Sequence, residues 1–211
     1  MSHTVPMSKI AALLLAAFLL IFSDIHAQST AFSAIWSFES TLNGSSNTPL
    51  VTANAATLTN ILVPNVGGYP AGQVGKTVNL QNWSDPACPG DEYLEISVSP
   101  AASVTMVMTS LSFYFSHSDK GPKDIKVKHS LDGFTTDIYT STITATGNPY
   151  QSASIDLTAS NPAYAAQTQP VSFRIYGCNR EAINGTMRID EVMINATALP
   201  ILHYSTLDNN H

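Results

Sequence analysis

Short segments in which apolar and polar residues alternate dominate the sequence from residue 28 onward. The clearest is EYLEISV, where Leu94, Ile96 and Val98 share one parity. Side chains alternate between the two faces of a strand, so this pattern predicts strands with one face in a core. Such segments recur about every 8 to 15 residues, joined by Gly-, Pro- and Asn-rich stretches, and none shows a sustained helical period. Roughly ten strands predict an all-β fold, a single two-sheet antiparallel β-sandwich.

The N-terminus predicts export. Residues 10–22 form an uncharged apolar run that is too short for a spanning helix but typical of a signal-peptide core. The small residue Ala27 suits cleavage, and an uncleaved anchor is the alternative. We assign residues 1–27 to a cleaved signal peptide, 28–198 to the β-sandwich domain and 199–211 to a flexible tail. A secreted or cell-surface protein is expected.

Charge and composition exclude several partners. The chain has a net charge of −6 and no basic run, which argues against nucleic acid and anionic membrane surfaces. Charged residues make up 11% of the chain and hydrophobic residues 44%, a balance that excludes disorder and suits an extracellular β-protein. No second segment approaches spanning length, so no membrane span is expected after signal cleavage.

The chain contains two cysteines, Cys88 and Cys178. An even number in an exported chain predicts one disulfide. Each cysteine lies in a predicted loop at a strand end, and the two loops meet if the flanking strands are antiparallel neighbours. Two separate thiols are the alternative.

Two clusters, HSD at residues 117–119 and HSLD at 129–132, contain the residue types of a hydrolytic triad. The strands that carry them, 111–118 and 125–130, are predicted to form a hairpin around a DKGP turn. In each cluster serine directly follows histidine, so the two side chains leave opposite faces of an extended strand. The clusters lie about 15 Å apart along this hairpin, whereas a nucleophile and its base need roughly 3 Å. We therefore predict that the protein is not an enzyme.

The last predicted strand changes phase. Apolar residues occupy odd positions up to Ile189 and even positions from Val192 onward. One inserted residue produces this slip, so a β-bulge is predicted at Asp190. Glu39 follows the first predicted strand, and terminal strands of a sandwich often lie together. The two acids would then supply hard oxygen ligands to one Ca²⁺, with backbone carbonyls completing its shell. Solvated edge acids are the alternative.

Several of these segments resemble a known family. Together they look like a recurrent secreted bacterial jelly-roll module, similar to carbohydrate-binding-module and galactose-binding-like sandwiches: IWSFE, YLEISVSP, LSFYFSHSDKGPKDIKVKHSLDGF, VSFRIYG and GTMRIDEVMINA. The resemblance covers residues 31–197 and includes the pattern F-x-x-x-x-S-x-x-G-P-x-x-x-x-V-x-x-S-x-D-G, with fixed points Phe113, Ser118, Gly121, Pro122, Val127, Ser130, Asp132 and Gly133. It implies the β-sandwich fold. It also implies a structural calcium, because related carbohydrate-binding modules bind one at the positions that match Glu39 and Asp190.

Sugar binding requires a flat aromatic platform surrounded by polar groups. Tyr93, Tyr114 and Tyr176 fall on the outward parity of predicted strands, and Trp83 lies in a loop beside Asp85. If those strands share one sheet, the four rings are predicted to stack on sugar faces. Scattered surface tyrosines are the alternative.

Two functions of different class follow. The first is a non-catalytic extracellular module that binds a polysaccharide or another glycan. The second is a structural or adhesive cell-surface domain that binds protein or spaces other domains. Outward aromatics clustered on one face favour the first function, and a sheet face lined with Thr and Ser favours the second.

Overall fold

The computed structural model describes residues 28–85, 88–160 and 162–201, so the predicted signal peptide and residues 202–211 of the predicted tail lie outside it. Within these ranges the chain forms twelve strands: β1 (Thr30–Trp36), β2 (Ser45–Ser46), β3 (Val51–Ala53), β4 (Thr57–Thr59), β5 (Val78–Gln81), β6 (Tyr93–Pro100), β7 (Val104–His117), β8 (Asp124–His129), β9 (Tyr139–Thr142), β10 (Gln151–Asp156), β11 (Val171–Cys178) and β12 (Thr186–Pro200). The helical elements of this part are α1 (Leu157–Ser160) and two 3-10 turns, Ser130–Asp132 and Pro162–Ala165. No helix among the described residues has the length and apolar character to cross a membrane.

The strands pair into two antiparallel sheets. The first sheet has the order β10-β7-β12-β1-β2, with β5 also paired to β12. The second sheet has the order β3-β6-β11-β8-β9, with β4 also paired to β6. Alternate residues of both sheets are buried in one hydrophobic core, and its largest fully buried side chains include Trp36, Phe38, Trp83, Phe113, Phe115, Tyr164 and Phe173. The predicted all-β, two-sheet sandwich is confirmed.

Strand β12 contains the predicted bulge. Asp190 lies opposite Tyr114 and Met193 opposite Ser112, so β12 has one more residue than β7 between these two pairs. The intervening Glu191 has a positive φ of 47°. The extra residue explains why the apolar parity changes along this strand. The strand ends at Pro200, two residues into the segment that the sequence assigned to a flexible tail.

The predicted hairpin between residues 111–118 and 125–130 is wrong. Strand β7 pairs with β10 and β12 in the first sheet, whereas β8 pairs with β9 and β11 in the second. The connecting turn therefore carries the chain from one sheet to the other. Gly121 makes this crossing possible, because a Cβ at that position would lie 2.2 Å from the backbone oxygen of Thr186. Parity identified both strands correctly, but it does not determine which strands pair.

The predicted disulfide is confirmed. Cys88 and Cys178 are bonded, with their Cα atoms 5.4 Å apart and a separation of 90 residues in sequence. Cys178 ends β11, and Cys88 precedes β6, which is the antiparallel neighbour of β11. The two loops therefore meet at one end of the second sheet.

Candidate functional site

The four predicted platform residues do not form one surface. Tyr93 on β6 and Tyr176 on β11 are neighbours in the second sheet, with ring centroids 5.5 Å apart. Tyr114 lies on β7 of the first sheet. The prediction assumed that all three strands share one sheet, but β6 and β11 lie in the second sheet and β7 in the first.

Trp83 belongs to the core and not to the surface. Its side chain is 1% exposed, and its Nε1 donates a hydrogen bond to the backbone oxygen of Leu80 at 2.8 Å. The indole packs against β11 at Gly177, where a Cβ would lie 2.9 Å from a ring atom. Its assignment as a sugar platform is therefore wrong. Tyr176, which is 4% exposed, also presents little surface to a ligand.

The outer face of the second sheet holds a group of side chains centred on Arg174, here named the Arg174 cluster (Tyr93, Glu95, Phe134, Arg174 and Tyr176). The Arg174 guanidinium carbon lies 4.1 Å from the Tyr93 ring centroid and 3.6 Å from that of Phe134. Its Nε donates to Glu95 Oε2 at 2.7 Å. Burial alone would lower the pKa of Arg174, but hydrogen bonds with Glu95 and Tyr176 raise it. The cluster thus combines fixed polar groups with two partly exposed aromatic rings.

Strand register explains how the Arg174 cluster forms. Arg174 lies directly opposite Glu95 on β6, so the ion pair is a cross-strand pair. Phe134 comes from the turn after β8, where its backbone adopts a φ of +62°. Sequence reasoning missed Arg174 and Phe134, although the outward parity of Arg174 opposite Glu95 was visible once β6 and β11 are paired.

Two lysines and one aspartate continue this face along β8. Lys126 Nζ lies 2.8 Å from Asp137 Oδ2, and Lys128 Nζ lies 3.0 Å from Asp137 Oδ1. Burial alone would raise the pKa of Asp137, but hydrogen bonds with both lysines outweigh it and lower that pKa. Lys128 is largely buried and also donates to the backbone oxygen of Thr135 at 2.7 Å. Both ammonium groups are therefore held by protein acceptors.

A cleft of about 700 Å³ adjoins this face at the end that carries the disulfide. Its polar lining includes Asp124, Lys126, Thr140, Thr142 and Asn179. The carboxylate of Asp124 accepts hydrogen bonds from Thr142 Oγ1 at 3.1 Å and from Asn179 Nδ2 at 2.6 Å. Lys126 lies opposite Tyr176 in the register of β8 and β11, so the cleft and the Arg174 cluster are continuous.

The predicted metal ligands hold one loop, residues 72–76. Asp190 is fully buried, and its Oδ2 accepts hydrogen bonds from the backbone N–H groups of Gln73 at 2.7 Å and Val74 at 3.2 Å. Glu39 Oε1 accepts the N–H of Lys76 at 2.9 Å. Burial raises the pKa of Asp190, the three N–H donors to this carboxylate lower it, and the charge of Glu39 raises it further.

These acids supply the hard oxygen atoms that Ca²⁺ prefers. Burial raises the pKa of Glu191, and the charges of Asp190 and Glu39 raise it further. Both oxygen atoms of Asp190 already accept backbone N–H groups. Within the described ranges, no three or more His, Cys, Asp or Glu side chains are grouped as a metal site. A cation here would therefore depend on backbone carbonyls for much of its shell.

The serines of the two triad-like clusters have structural roles. Ser118 Oγ accepts the backbone N–H of Thr186 at 2.9 Å, and Ser130 Oγ accepts that of Ser172 at 3.0 Å. His117 and His129 are 5% and 2% exposed. These side chains connect strands or fill the core rim.

The outer face of the first sheet is lined by small polar side chains. Ser33 Oγ donates to Asn195 Oδ1 at 2.7 Å, and Asn195 Nδ2 donates to Ser110 Oγ at 3.1 Å. Thr109 Oγ1 donates to the backbone oxygen of Asn195 at 2.8 Å. This face is the Ser- and Thr-rich surface that the sequence associated with a structural or adhesive role.

Comparisons with known proteins give structural similarity only. No protein-family model matches the sequence, and no curated protein matches it. Among solved structures, the K1 cleaved adhesin domain of Lys-gingipain from Porphyromonas gingivalis W83 is similar over 77% of this chain and 96% of its own length, with 16% identity and a TM-score of 0.46. A family 35 carbohydrate-binding module from Clostridium thermocellum is similar over 68% of this chain and 96% of its own, with 14% identity and a TM-score of 0.40.

Proposed function

We propose that this protein is an exported, non-catalytic binding module that holds a carbohydrate on the outer face of the second sheet. The Arg174 cluster is the observation that carries the proposal. Its two partly exposed rings, Tyr93 and Phe134, flank a guanidinium whose orientation is fixed by Glu95. Carbohydrate sites combine apolar ring contacts with a few fixed polar groups, and the adjoining cleft adds hydroxyl, amide and carboxylate groups.

Binding to a glycan array, followed by affinity electrophoresis in soluble polysaccharides, tests the proposal. Tyr93→Ala is expected to weaken binding about tenfold, because it removes an aromatic contact at the centre of the face. Tyr114→Ala is the matched control, since Tyr114 lies on the other sheet and is expected to leave affinity unchanged. A wild-type protein that binds no glycan, or an equal loss in both variants, would exclude the proposed face.

The second candidate function is a structural or adhesive surface domain. It is supported by the hydrogen-bonded Ser, Thr and Asn side chains on the outer face of the first sheet. Absence of all glycan binding would favour this candidate. Export is part of both proposals, because the disulfide suits an oxidising compartment.

We also propose that Glu39 and Asp190 hold a structural Ca²⁺, with carbonyl groups of the loop at residues 72–76. Bound Ca²⁺ would offset the negative charge at this loop, where burial and neighbouring carboxylates raise the pKa values of Asp190 and Glu191. Thermal melts with CaCl₂ and with EGTA test this. The wild type is expected to melt higher with Ca²⁺, and Glu39→Ala is expected to abolish that difference. Identical melting of the wild type in both solutions would contradict the proposal.

A further inference from the structure

The carboxylate of Asp124 differs from the other acids on the binding face. Glu95 is paired with Arg174 at 2.7 Å. Asp137 is paired with both Lys126 and Lys128. The hydrogen-bond donors to Asp124 are instead neutral groups, the hydroxyl of Thr142 and the amide of Asn179. Its negative charge therefore stands in the cleft beside donors that do not neutralise it.

The two oxygen atoms of Asp124 retain capacity for a ligand. Oδ1 accepts the hydroxyl of Thr142, and Oδ2 accepts the amide of Asn179. A carboxylate oxygen has two acceptor positions, so one remains on each oxygen after these bonds are made. Neighbouring hydroxyl groups of a sugar ring present two O–H donors at comparable spacing. Asp124 is thus equipped to accept a pair of sugar hydroxyls in charge-assisted hydrogen bonds.

The same arrangement disfavours an acidic sugar. The lysine that lines the cleft, Lys126, is already held by Asp137, so a ligand carboxylate would have to break that ion pair. It would also approach the charge of Asp124, and two like charges in one site repel each other. We propose that the cleft selects uncharged sugars and that Asp124 anchors them through two hydroxyl groups. This inference rests on the proposed glycan-binding function.

The test compares neutral polysaccharides (galactan, xylan and glucomannan) with acidic ones (polygalacturonate and alginate). The wild type is expected to bind at least one neutral polysaccharide about tenfold more tightly than either acidic one. Asp124→Asn keeps the shape of the side chain but replaces one acceptor with a donor. This variant is expected to bind neutral polysaccharides about tenfold more weakly, and to show a smaller difference in affinity between neutral and acidic polysaccharides.

Asp91→Asn is the control, because it changes the net charge equally at an exposed residue that does not line the cleft. It is expected to behave like the wild type. Thr142→Val, which removes a hydroxyl from Asp124 without altering the charge, is expected to weaken neutral binding about threefold and serves if Asp124→Asn fails to fold.

Three outcomes overturn the inference in distinguishable ways. Unchanged neutral binding in folded Asp124→Asn removes Asp124 from the site while leaving glycan binding intact. Acidic polysaccharides that bind as tightly as neutral ones overturn the selectivity. A wild type that binds neither class overturns the proposed function itself, and the inference with it.

Discussion

The Phe134 ring covers the guanidinium of Arg174 at 3.6 Å, and it reaches that position with a backbone φ of +62°. A positive φ is costly for any residue with a Cβ. The chain therefore keeps an unfavourable backbone conformation at the point where it places a ring on the outer face of the second sheet. Unfavourable backbone at ordered positions is concentrated at functional sites.

Two substitutions of Phe134 distinguish the contribution of its ring to binding from the cost of its backbone conformation. Both Phe134→Ala and Phe134→Gly are expected to reduce glycan affinity, because both remove the ring. Phe134→Gly is expected to be more stable than Phe134→Ala by about 1 kcal/mol, since glycine adopts positive φ without penalty. Urea unfolding measures this difference. Thr140, an exposed residue of β9, is the control position, where Thr140→Ala is expected to be more stable than Thr140→Gly. If the alanine variant were also the more stable one at Phe134, the role of φ would be contradicted.

Gly75 is expected to be intolerant of a side chain. Its φ is +56°, and a Cβ would lie 1.9 Å from Glu39 Oε1. Gly67 has a similar φ of +72° but nothing within 4 Å of its Cβ position. Gly67→Ala is therefore expected to cost about 1 kcal/mol, the backbone penalty alone. Gly75→Ala should cost at least about 1 kcal/mol more, because it displaces the Glu39 carboxylate from the loop. Equal losses in urea unfolding would show that the carboxylate contact is unimportant.

Acid is expected to destabilise the fold through the buried histidines. Burial lowers the pKa of His129, and the charge of Asp132 opposes this without reversing it. A pKa that is lower in the folded state means that the unfolded state binds protons first. The free energy of unfolding therefore falls as pH drops below the ordinary histidine value of about 6.5. The other neighbouring ionisable group, Tyr164, has its ring centroid 5.3 Å from that of His129 and stays neutral here.

His129→Phe is expected to remove part of this acid sensitivity. The His129 Nδ1 atom is buried without a hydrogen-bond partner in the described structure. Replacing the imidazole with a phenyl ring is therefore expected to cost little stability at neutral pH. Between about pH 7 and pH 5, the wild type is expected to lose roughly 1 kcal/mol more than the variant. His117, whose pKa is also lowered by burial and by Lys123, accounts for a separate part of the loss. Parallel stability curves for wild type and His129→Phe would refute the assignment.

Loss of the disulfide is expected to be severe. The bond between Cys88 and Cys178 joins residues 90 apart in sequence. Closing a loop of that length lowers the conformational entropy of the unfolded chain, which stabilises the folded state by about 4 kcal/mol. Cys88→Ala/Cys178→Ala is expected to lower the free energy of unfolding by about this amount and to reshape the cleft that both cysteines line. If the double variant and the wild type had equal urea midpoints and equal glycan affinity, the bond would be dispensable for both.

The alternation of apolar and polar residues was sufficient to predict the strands, the bulge at Asp190 and the sandwich class, because it shows directly which side chains face the core. Strand pairing was not, since β7 and β8 have the same local pattern whether they pair or cross between sheets. Parity also does not show that β6 and β7 lie in different sheets, and this placed Tyr114 with Tyr93. Likewise, the burial of Trp83 depends on the absence of a side chain at Gly177, almost a hundred residues away. The Arg174 cluster joins β6, β11 and the turn after β8, so it could be recognised only after the strands were assembled.

Strand β12 pairs with β1, β5 and β7, which all precede it in the chain. The central pairings of the first sheet therefore cannot form until β12 has been synthesised, and β1, the first strand in the chain, pairs with this last strand. Contacts of such long range make folding slow and leave strand edges open in the meantime. For a chain whose N-terminus predicts export, this order is favourable, because the first sheet cannot be completed before its last strand has been synthesised.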